Sequence, residues 1–174
     1  MPKQLGKQSI VRATPKDIDE VFNILSTATK WLAKQGMDHW KTGYTFEKVQ
    51  KRLKEKEVYL VYYRKKAVAT VSLSTTPASY YTNLTKRFWE DRNAEALYVT
   101  GLATLPEYMG RGLAKKLMKF CEDAARERGI KFIRLDAVSY YKELLEFYLK
   151  MGYKRVGEEP GRIAPSTYFE KRLF

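Results

Sequence analysis

The chain has 174 residues, 44% of them hydrophobic, and its 33 Lys and Arg against 20 Asp and Glu give a formal charge of +13. That length supports one sizeable core and little more, so we predict a single domain over residues 1–174. No run approaches the roughly 18 apolar residues of a membrane span, and the N-terminus lacks the apolar core of a signal peptide, which argues against a membrane or secreted protein.

The N-terminal part of the chain predicts one strand, two helices and an aromatic loop. Residues 9–13 predict the first strand. The sequence Thr14-Pro-Lys-Asp17 then has the pattern of a capping box with proline at the first helical position, and the helix is predicted to run to about Lys34. Residues 37–44 predict a loop rich in aromatic side chains. Apolar residues at helical spacing predict a second helix over residues 45–56.

The middle of the chain predicts three strands. Residues 58–63 and 67–73 are rich in β-branched and aromatic residues, which indicates a hairpin. The stretch from 77 to 93 is too long for a tight turn, and segments of that size are often functional or contain a short helix. Residues 96–104 predict the fourth strand, in which Gly101 indicates a bulge or a close backbone approach.

The C-terminal part predicts two helices and three strands. A helix is predicted from about residue 112 to residue 129, followed by a strand over 131–136 and a helix over 140–150. Residues 153–157 and 166–173 predict the last two strands. This order of elements predicts a mixed α/β (α+β) fold in which helices flank one sheet.

The segment between the fourth strand and the third helix predicts an anion site. A helix start presents backbone N–H groups without intrahelical partners at the positive end of the helix dipole. Gly110 and Gly112 would let the backbone approach an anion closely, and Arg111 and Lys115 add positive charge. These residues therefore predict a pyrophosphate site for a nucleotide-bearing cofactor. The glycine patterns of a P-loop and of a Rossmann fold are both missing.

Two segments resemble motifs of the GNAT superfamily of N-acetyltransferases. The loop is similar to motif A, Gln/Arg-x-x-Gly-x-Gly/Ala, with Met109, Gly112 and Ala114 at its defined positions. Residues 147–153, Phe-Tyr-Leu-Lys-Met-Gly-Tyr, resemble motif B, Phe/Tyr-Tyr-x-x-x-Gly-Phe/Tyr. Met109 departs from the family pattern, and so does Tyr141, where the family commonly has Asn.

The resemblance covers roughly residues 8–174 and implies both a fold and an activity. The fold is a GNAT-like mixed, mostly antiparallel sheet of six to seven strands flanked by four helices. The activity is transfer of an acetyl group from acetyl-CoA to a primary amine of a small molecule or peptide. The cofactor-binding residues that the resemblance implies are Leu102, Ala103, Thr104, Met109, Gly110, Arg111, Gly112, Leu113, Ala114, Lys115 and Tyr141.

The resemblance also implies catalytic and acceptor-binding residues. Tyr148 stands where many members place a tyrosine close to the cofactor sulfur, which implies a general acid that protonates the leaving thiolate. By residue type, Glu95 and His39 are the candidates for the general base. Trp31 and Trp40, with the glycine between them, resemble a pattern of some bacterial members, so Trp31, His39 and Trp40 are predicted on the acceptor side. Packing or surface roles remain open for all five residues.

The composition of the chain indicates which other ligands and partners to expect. One His and one Cys argue against a zinc site, and the single Cys121 cannot form an internal disulfide, which suits the cytoplasm. The basic residues within 48–56 predict a solvated face. The positive charge would attract coenzyme A, and it would also attract nucleic acid, although no nucleic-acid recognition motif is present.

Two alternatives to the enzyme on small or peptide amines stay open. One is a non-catalytic acyl-CoA-binding domain, which the departures at Met109 and Tyr141 favour. The other is a basic RNA- or ribosome-associated acetyltransferase, which the charge of +13 favours. A homodimer also stays open, and the sequence does not identify the acceptor.

Overall fold

A computed structural model describes residues 6–174. The helices and strands, in chain order, are β1 Gln8–Arg12, α1 Ile18–Lys34, α2 Phe46–Glu55, β2 Glu57–Tyr63, β3 Lys66–Ser74, β4 Ala96–Thr104, α3 Leu113–Glu127, β5 Phe132–Val138, α4 Lys142–Lys150, β6 Lys154–Glu159 and β7 Ser166–Arg172. Short 3₁₀ helices occupy Pro15–Asp17, Thr85–Phe88 and Pro106–Tyr108. Within residues 6–174, no helix is both long enough and apolar enough to cross a membrane.

The strands form one mixed sheet of seven strands in the order β1-β2-β3-β4-β5-β7-β6. Four of the pairings are antiparallel: β1 with β2, β2 with β3, β5 with β7, and β6 with β7. β4 and β5 are parallel, and residues 96–98 pair with residues 132–134. A mixed seven-stranded sheet with four helices confirms the predicted fold class.

Local sequence signals explain where the first helix begins. The backbone N–H of Thr14 donates to Asp17 Oδ2 at 2.7 Å, and the backbone N–H of Lys16 donates to Thr14 Oγ1 at 3.3 Å. This is the predicted capping box, and it satisfies N–H groups that have no partner inside the helix. The short 3₁₀ helix that it caps continues directly into α1.

β2 and β3 form the predicted hairpin, and Tyr63 pairs with Lys66 at its end. The two residues between them, Arg64 and Lys65, have φ angles of 47° and 66°. Turns with two positive φ angles usually contain Asn-Gly, since few other residues adopt this conformation readily. Pairing of the two strands therefore imposes this turn on two residues with long side chains.

The chain forms two compact units. The first contains the described residues up to Leu73 together with Gly101–Lys119. Helices α1 and α2 pack there against β2 and the end of β4. The buried residues of its core are Val21, Ile24, Leu25, Ala28, Val49, Val58, Leu60, Ala67, Ala103 and Leu105.

The second unit contains Ser74–Thr100 and Phe120–Phe174. Its interior is rich in aromatic rings, and the ring of Tyr81 lies 5.3 Å from that of Tyr168 and 5.9 Å from that of Tyr98. An ion pair is also buried there, with Arg134 Nε 2.7 Å from Glu170 Oε2. Because a buried charge needs a partner, this pair fixes β5 and β7 relative to each other.

Candidate active site

The glycine-containing loop follows β4 through a short 3₁₀ helix. The Leu105 N–H donates to Val68 O at 2.9 Å, which ties the end of β4 to β3. The Met109 N–H donates to Pro106 O at 3.2 Å, and Met109 itself is extended. Gly110 and Gly112 follow with φ angles of +73° and +80°. These left-handed conformations turn the chain sharply into α3, and residues with a side chain rarely adopt them.

The start of α3 has backbone donors that precede its first intrahelical hydrogen bond. The Lys116 N–H bonds to Gly112 O at 3.0 Å, and the N–H groups of residues 112–115 precede the first intrahelical bond. A Cβ atom built on Gly110 or Gly112 would meet nothing within 4 Å. The loop therefore lies at the positive end of a helix, with open space beside both glycines, which is where the sequence predicts an anion.

Three basic side chains belong to this loop and its neighbours. The guanidinium of Arg111 lies 5.6 Å from the ring centre of Tyr108, and Lys66 Nζ lies 5.4 Å from the same ring. Lys66 Nζ is also 3.1 Å from Glu107 Oε1. A backbone hydrogen bond and the bond from Lys66 lower the pKa of Glu107. Because Lys115 on α3 adds a further charge, the loop region stays positive.

The strand segment before the loop supplies the other predicted cofactor residues of the first unit. Ala103 is buried in the core of that unit, whereas Leu102 and Thr104 are partly exposed. This alternation follows the two-residue period of a strand. Residues 102–104 and 109–115 are thus continuous in the structure, as the end of β4, the loop and the first turn of α3.

The predicted acceptor residues also lie in the first unit. Trp31 is half-buried on α1. The Trp40 ring contacts that of Tyr44 edge-on at 4.8 Å between centres, and the His39 ring lies 5.9 Å from that of Trp40. Burial lowers the pKa of His39, so this imidazole is neutral near pH 7. The loop before α2 therefore has an aromatic wall that contains one neutral base.

Arg52 is a feature of this region that the sequence analysis missed. Its guanidinium lies 5.1 Å from the ring centre of Tyr44, and its Nη1 atom lies 3.0 Å from the position of a Cβ on Gly101. The prediction of a solvated basic face was therefore wrong at Arg52. A usable signal was its place three residues after the buried Val49, because residues at that spacing share one helix face.

Tyr148 lies in the second unit, within an aromatic cluster. Only 4% of its surface is exposed. Its ring centre is 5.3 Å from that of Phe147, 5.9 Å from that of Tyr153 and 5.5 Å from that of Phe169. These contacts fix the orientation of the ring on α4. The role of its hydroxyl as a general acid stays a prediction.

Tyr141 and Glu95 are also in the second unit. Tyr141 is the residue before α4, is half-buried, and has a pKa raised first by burial and then by Glu143. Glu95 is exposed and directly precedes β4. The two compact units thus divide the predicted residues: Glu95, Tyr141 and Tyr148 belong to one, and the loop and acceptor residues belong to the other.

The segment between β3 and β4 is the one predicted to be functional or to contain a short helix. It contains the 3₁₀ helix Thr85–Phe88 and forms hydrogen bonds with β5 and β6. The hydroxyls of Tyr80 and Tyr81 each donate to Asp136 Oδ1 at 2.8 Å. Burial, and then the Asp136 charge, raises the pKa of Tyr81 well above its usual value, so this hydroxyl keeps its proton. Thr85 Oγ1 donates to the buried Glu159 at 2.9 Å. Sequence reasoning assigned a role to neither carboxylate.

A cavity of about 600 Å³ lies in the second unit, beside the start of β6 and the end of β7. Its walls include Phe88, Lys154, Arg172 and Phe174, and none of the predicted site residues is among them. Among residues 6–174, no three side chains of His, Cys, Asp or Glu come together as metal ligands would.

Comparison with known sequences finds acetyltransferases. The sequence model of the Acetyltransferase (GNAT) family matches residues 19–153. An uncharacterized N-acetyltransferase, YesJ of Bacillus subtilis, is 23% identical over 150 residues, which cover 84% of this chain and 82% of the relative. The thialysine N-epsilon-acetyltransferase of Bos taurus is 27% identical over 73 residues, 42% of this chain and 41% of the relative.

Comparison with solved structures finds the same fold. The PaiA N-acetyltransferase of Thermoplasma acidophilum, crystallised with coenzyme A, superposes with a TM-score of 0.71. The superposition covers 95% of this chain and 99% of that chain, at 16% identity.

Proposed function

The chain belongs to the GNAT family of acetyltransferases, and we propose that it is an acetyl-CoA-dependent N-acetyltransferase acting on a primary amine of a small molecule or peptide. The family match establishes an acyltransferase. The observation that carries the finer proposal is the loop at the start of α3, where two left-handed glycines with open space beside them precede the first intrahelical hydrogen bond.

The residues of the loop fit the diphosphate of acetyl-CoA. The space beside Gly110 and Gly112, where a Cβ would project, would let phosphate oxygens approach the backbone N–H groups of residues 110–115. Arg111 and Lys115 would add charge to that contact. Residues 102–104 would pair through their backbone with the amides of the pantetheine arm. Acetyl-CoA supplies the acetyl group as a thioester.

Acetyl transfer from a thioester to an amine requires a general base and a general acid from this chain. Tyr148 would hold a proton on its phenolic oxygen and donate it where a thiolate leaves. Glu95 would accept a proton from the acceptor amine. His39 is the alternative base, because its lowered pKa leaves an imidazole nitrogen available to accept a proton near neutral pH. The aromatic loop with Trp31 and Trp40 would border the acceptor.

Two comparisons support the ligands named here. The bovine relative is a thialysine N-epsilon-acetyltransferase, which supports a small amine as the acceptor. The archaeal structure contains coenzyme A, which supports this cofactor for the shared fold. The net charge of +13 favours the RNA- or ribosome-associated alternative. So does the structural likeness to the ribosomal-protein-S18-alanine N-acetyltransferase of Escherichia coli, with a TM-score of 0.71 at 12% identity.

We also propose that residues 1–174 act as a single domain, in the cytoplasm. Both β4 and α3 continue from one compact unit into the other, so neither unit contains all of its elements whole. We expect one cooperative unfolding transition, followed by circular dichroism and by tryptophan fluorescence. Two separate transitions would contradict a single domain.

The experiment that tests the enzyme is amine-dependent thiol release. Purified protein is incubated with acetyl-CoA and a broad panel of primary amines, and release is corrected for hydrolysis in the absence of amine. Mass spectrometry then identifies the acetylated product. Acetyl-CoA binding without release on any amine would support the non-catalytic acyl-CoA-binding domain, and affinity for RNA that falls steeply with salt would support the ribosome-associated alternative.

A further inference from the structure

We infer that the turn between β2 and β3 binds the 3′-phosphate of acetyl-CoA, so that the chain distinguishes coenzyme A from its 3′-dephospho form. This inference rests on the proposed use of acetyl-CoA and adds a second anion contact to the one proposed for the diphosphate. It is carried by the turn cluster, which consists of the cationic side chains of Arg64, Lys65, Lys66 and Arg111 around two tyrosine rings.

The ring of Tyr108 joins the hairpin to the glycine-containing loop. Lys66 Nζ, at the start of β3, lies 5.4 Å from the centre of this ring, and Arg111 Cζ lies 5.6 Å from it. Both distances are within the range of a cation–π contact. Arg111 stands between Gly110 and Gly112, in the loop proposed for the diphosphate. The hairpin end therefore holds positive charge directly beside that loop.

The ring of Tyr63 extends the cluster into the turn. It lies 6.1 Å from the ring of Tyr108, and Arg64 Cζ lies 5.2 Å from its centre. Tyr63 pairs with Lys66 across the hairpin, so the two side chains leave the same face of the sheet. Lys65, the other residue of the turn, is exposed. The two tyrosines thus gather cations from the turn and from the loop.

The turn cluster keeps a positive charge after its internal contacts are counted. Glu107 is the carboxylate that pairs with it, at 3.1 Å from Lys66 Nζ, and its lowered pKa keeps it ionised at neutral pH. Among residues 6–174, no hydrogen bond or ion pair occupies the side-chain donors of Arg64, Lys65 or Arg111. The four cations are exposed, so a phosphate would reach them at the surface without an enclosed cavity.

The backbone of the turn is better suited to other residues. Arg64 and Lys65 both have positive φ angles, a conformation in which Asn-Gly is usual. Residues held in such conformations gather at sites that bind ligands, because the fold alone does not favour them there. An anion that binds both side chains gives a reason for two cations at this turn.

The 3′-phosphate is the group of acetyl-CoA that suits this cluster. A phosphomonoester carries a charge of roughly −1.5 to −2 near pH 7, more than either phosphate of the diphosphate. One ribose separates it from the diphosphate, so it lies close to whatever binds that group. A guanidinium donates to two phosphate oxygens at once, and such charge-assisted contacts are strong.

Calorimetry with coenzyme A and 3′-dephospho-coenzyme A tests the inference. The two ligands are titrated at low salt into the wild type, into the double variant Arg64→Asn with Lys65→Gly, and into Lys66→Gln. The control is Lys51→Gln with Lys54→Gln, which removes two exposed charges from α2. Urea denaturation checks folding, and the Asn-Gly turn should be at least as stable as the native one. Lys66→Gln leaves the turn residues unchanged.

We expect the wild type to bind coenzyme A at least about tenfold more tightly than the dephospho form. The Asn-Gly variant should bring that ratio to within about threefold, while its affinity for the dephospho form stays within about twofold of the wild type. Lys66→Gln should be intermediate, and the α2 control should keep the wild-type ratio. Added salt should reduce the ratio, because the contacts are exposed.

Three results would overturn the inference alone: equal affinity of the wild type for both ligands, a ratio that survives in the Asn-Gly variant and in Lys66→Gln, and a ratio lost equally in the α2 control. An Asn-Gly variant that loses affinity for single-stranded RNA but keeps the coenzyme A ratio would assign the cluster to nucleic acid instead. A wild type that binds neither form of coenzyme A would overturn the proposed function as well. Binding of the dephospho form therefore distinguishes the two failures.

Discussion

The Nη1 atom of Arg52 lies 3.0 Å from the position that a Cβ atom would take on Gly101. Gly101 also has a φ angle of +62°, a conformation that side chains disfavour. Two independent features therefore favour glycine there, the backbone conformation and the approach of the guanidinium. Each reason can be measured separately.

Gly101→Ala should lower the free energy of unfolding by more than backbone strain alone. The left-handed conformation costs about 1–2 kcal/mol for a residue with a Cβ, and displacement of Arg52 adds to it. Urea denaturation measures the total. Gly36→Ala is the control, since Gly36 has a φ angle of +81° and nothing within 4 Å of its Cβ position. Equal losses in the two variants would mean that the guanidinium moves aside without cost.

Signals close together in the sequence predicted the elements well. The capping residues Thr14 and Asp17 and the apolar period predicted both ends of α1, and β4 has the predicted bounds. Such signals work because caps and periodicity act over a few residues. The start of α4 is two residues later than predicted, because Tyr141 has a non-helical backbone conformation.

Long-range contacts account for what the sequence did not predict. Arg52 was predicted to be solvated because its contact with Gly101 joins residues far apart in the chain. Its spacing from the buried Val49 indicates a shared helix face and does not identify that contact. Asp136 accepts hydrogen bonds from the hydroxyls of Tyr80 and Tyr81, which are also far from it in the sequence. The predicted roles of Tyr148 and of the loop stay predictions, because a role in catalysis requires a test with ligands.

Glu170→Gln should destabilise the protein strongly. Arg134 and Glu170 are 1% and 4% exposed, and the guanidinium also lies 4.9 Å from the ring centre of Trp89. Removing the carboxylate charge leaves a buried guanidinium uncompensated, which costs about 3–5 kcal/mol. Urea denaturation measures the loss.

The control for that variant is Glu90→Gln. Glu90 pairs with Arg172 at 3.0 Å, but both side chains are about half exposed. Exposed pairs contribute at most about 1 kcal/mol, so this variant should be near wild type. A loss for Glu170→Gln as small as that for Glu90→Gln would show that water reaches the buried pair.

His39→Gln should weaken the pH dependence of stability. Burial lowers the pKa of His39 below its ordinary value of 6.5. The unfolded chain therefore binds this proton more readily than the folded chain, so stability falls as pH drops below about 6.5. Unfolding free energies between about pH 7.5 and pH 5 should fall less in the variant than in the wild type. Parallel curves would mean that His39 titrates alike in both states.

Gly112→Asp should raise the dissociation constant of acetyl-CoA by at least about tenfold. The carboxylate and the Cβ would enter the open space beside the first turn of α3 and repel phosphate. Gly129→Asp is the control: it introduces the same residue at a φ angle of +69°, also in open space, just beyond the other end of α3. Calorimetry measures affinity. If Gly112→Asp and Gly129→Asp both fold and bind acetyl-CoA with equal affinity, the loop is not the phosphate site.

Tyr148→Phe should lower turnover by roughly 10²-fold while acetyl-CoA affinity stays within about twofold, if its hydroxyl protonates the leaving thiolate. The loss should shrink with an acyl donor whose thiol is more acidic, because a better leaving group depends less on a proton. Tyr153→Phe is the control, since it removes another buried hydroxyl from the same aromatic cluster. Turnover at the wild-type rate in Tyr148→Phe, measured on a true acceptor, would make Tyr148 a packing residue.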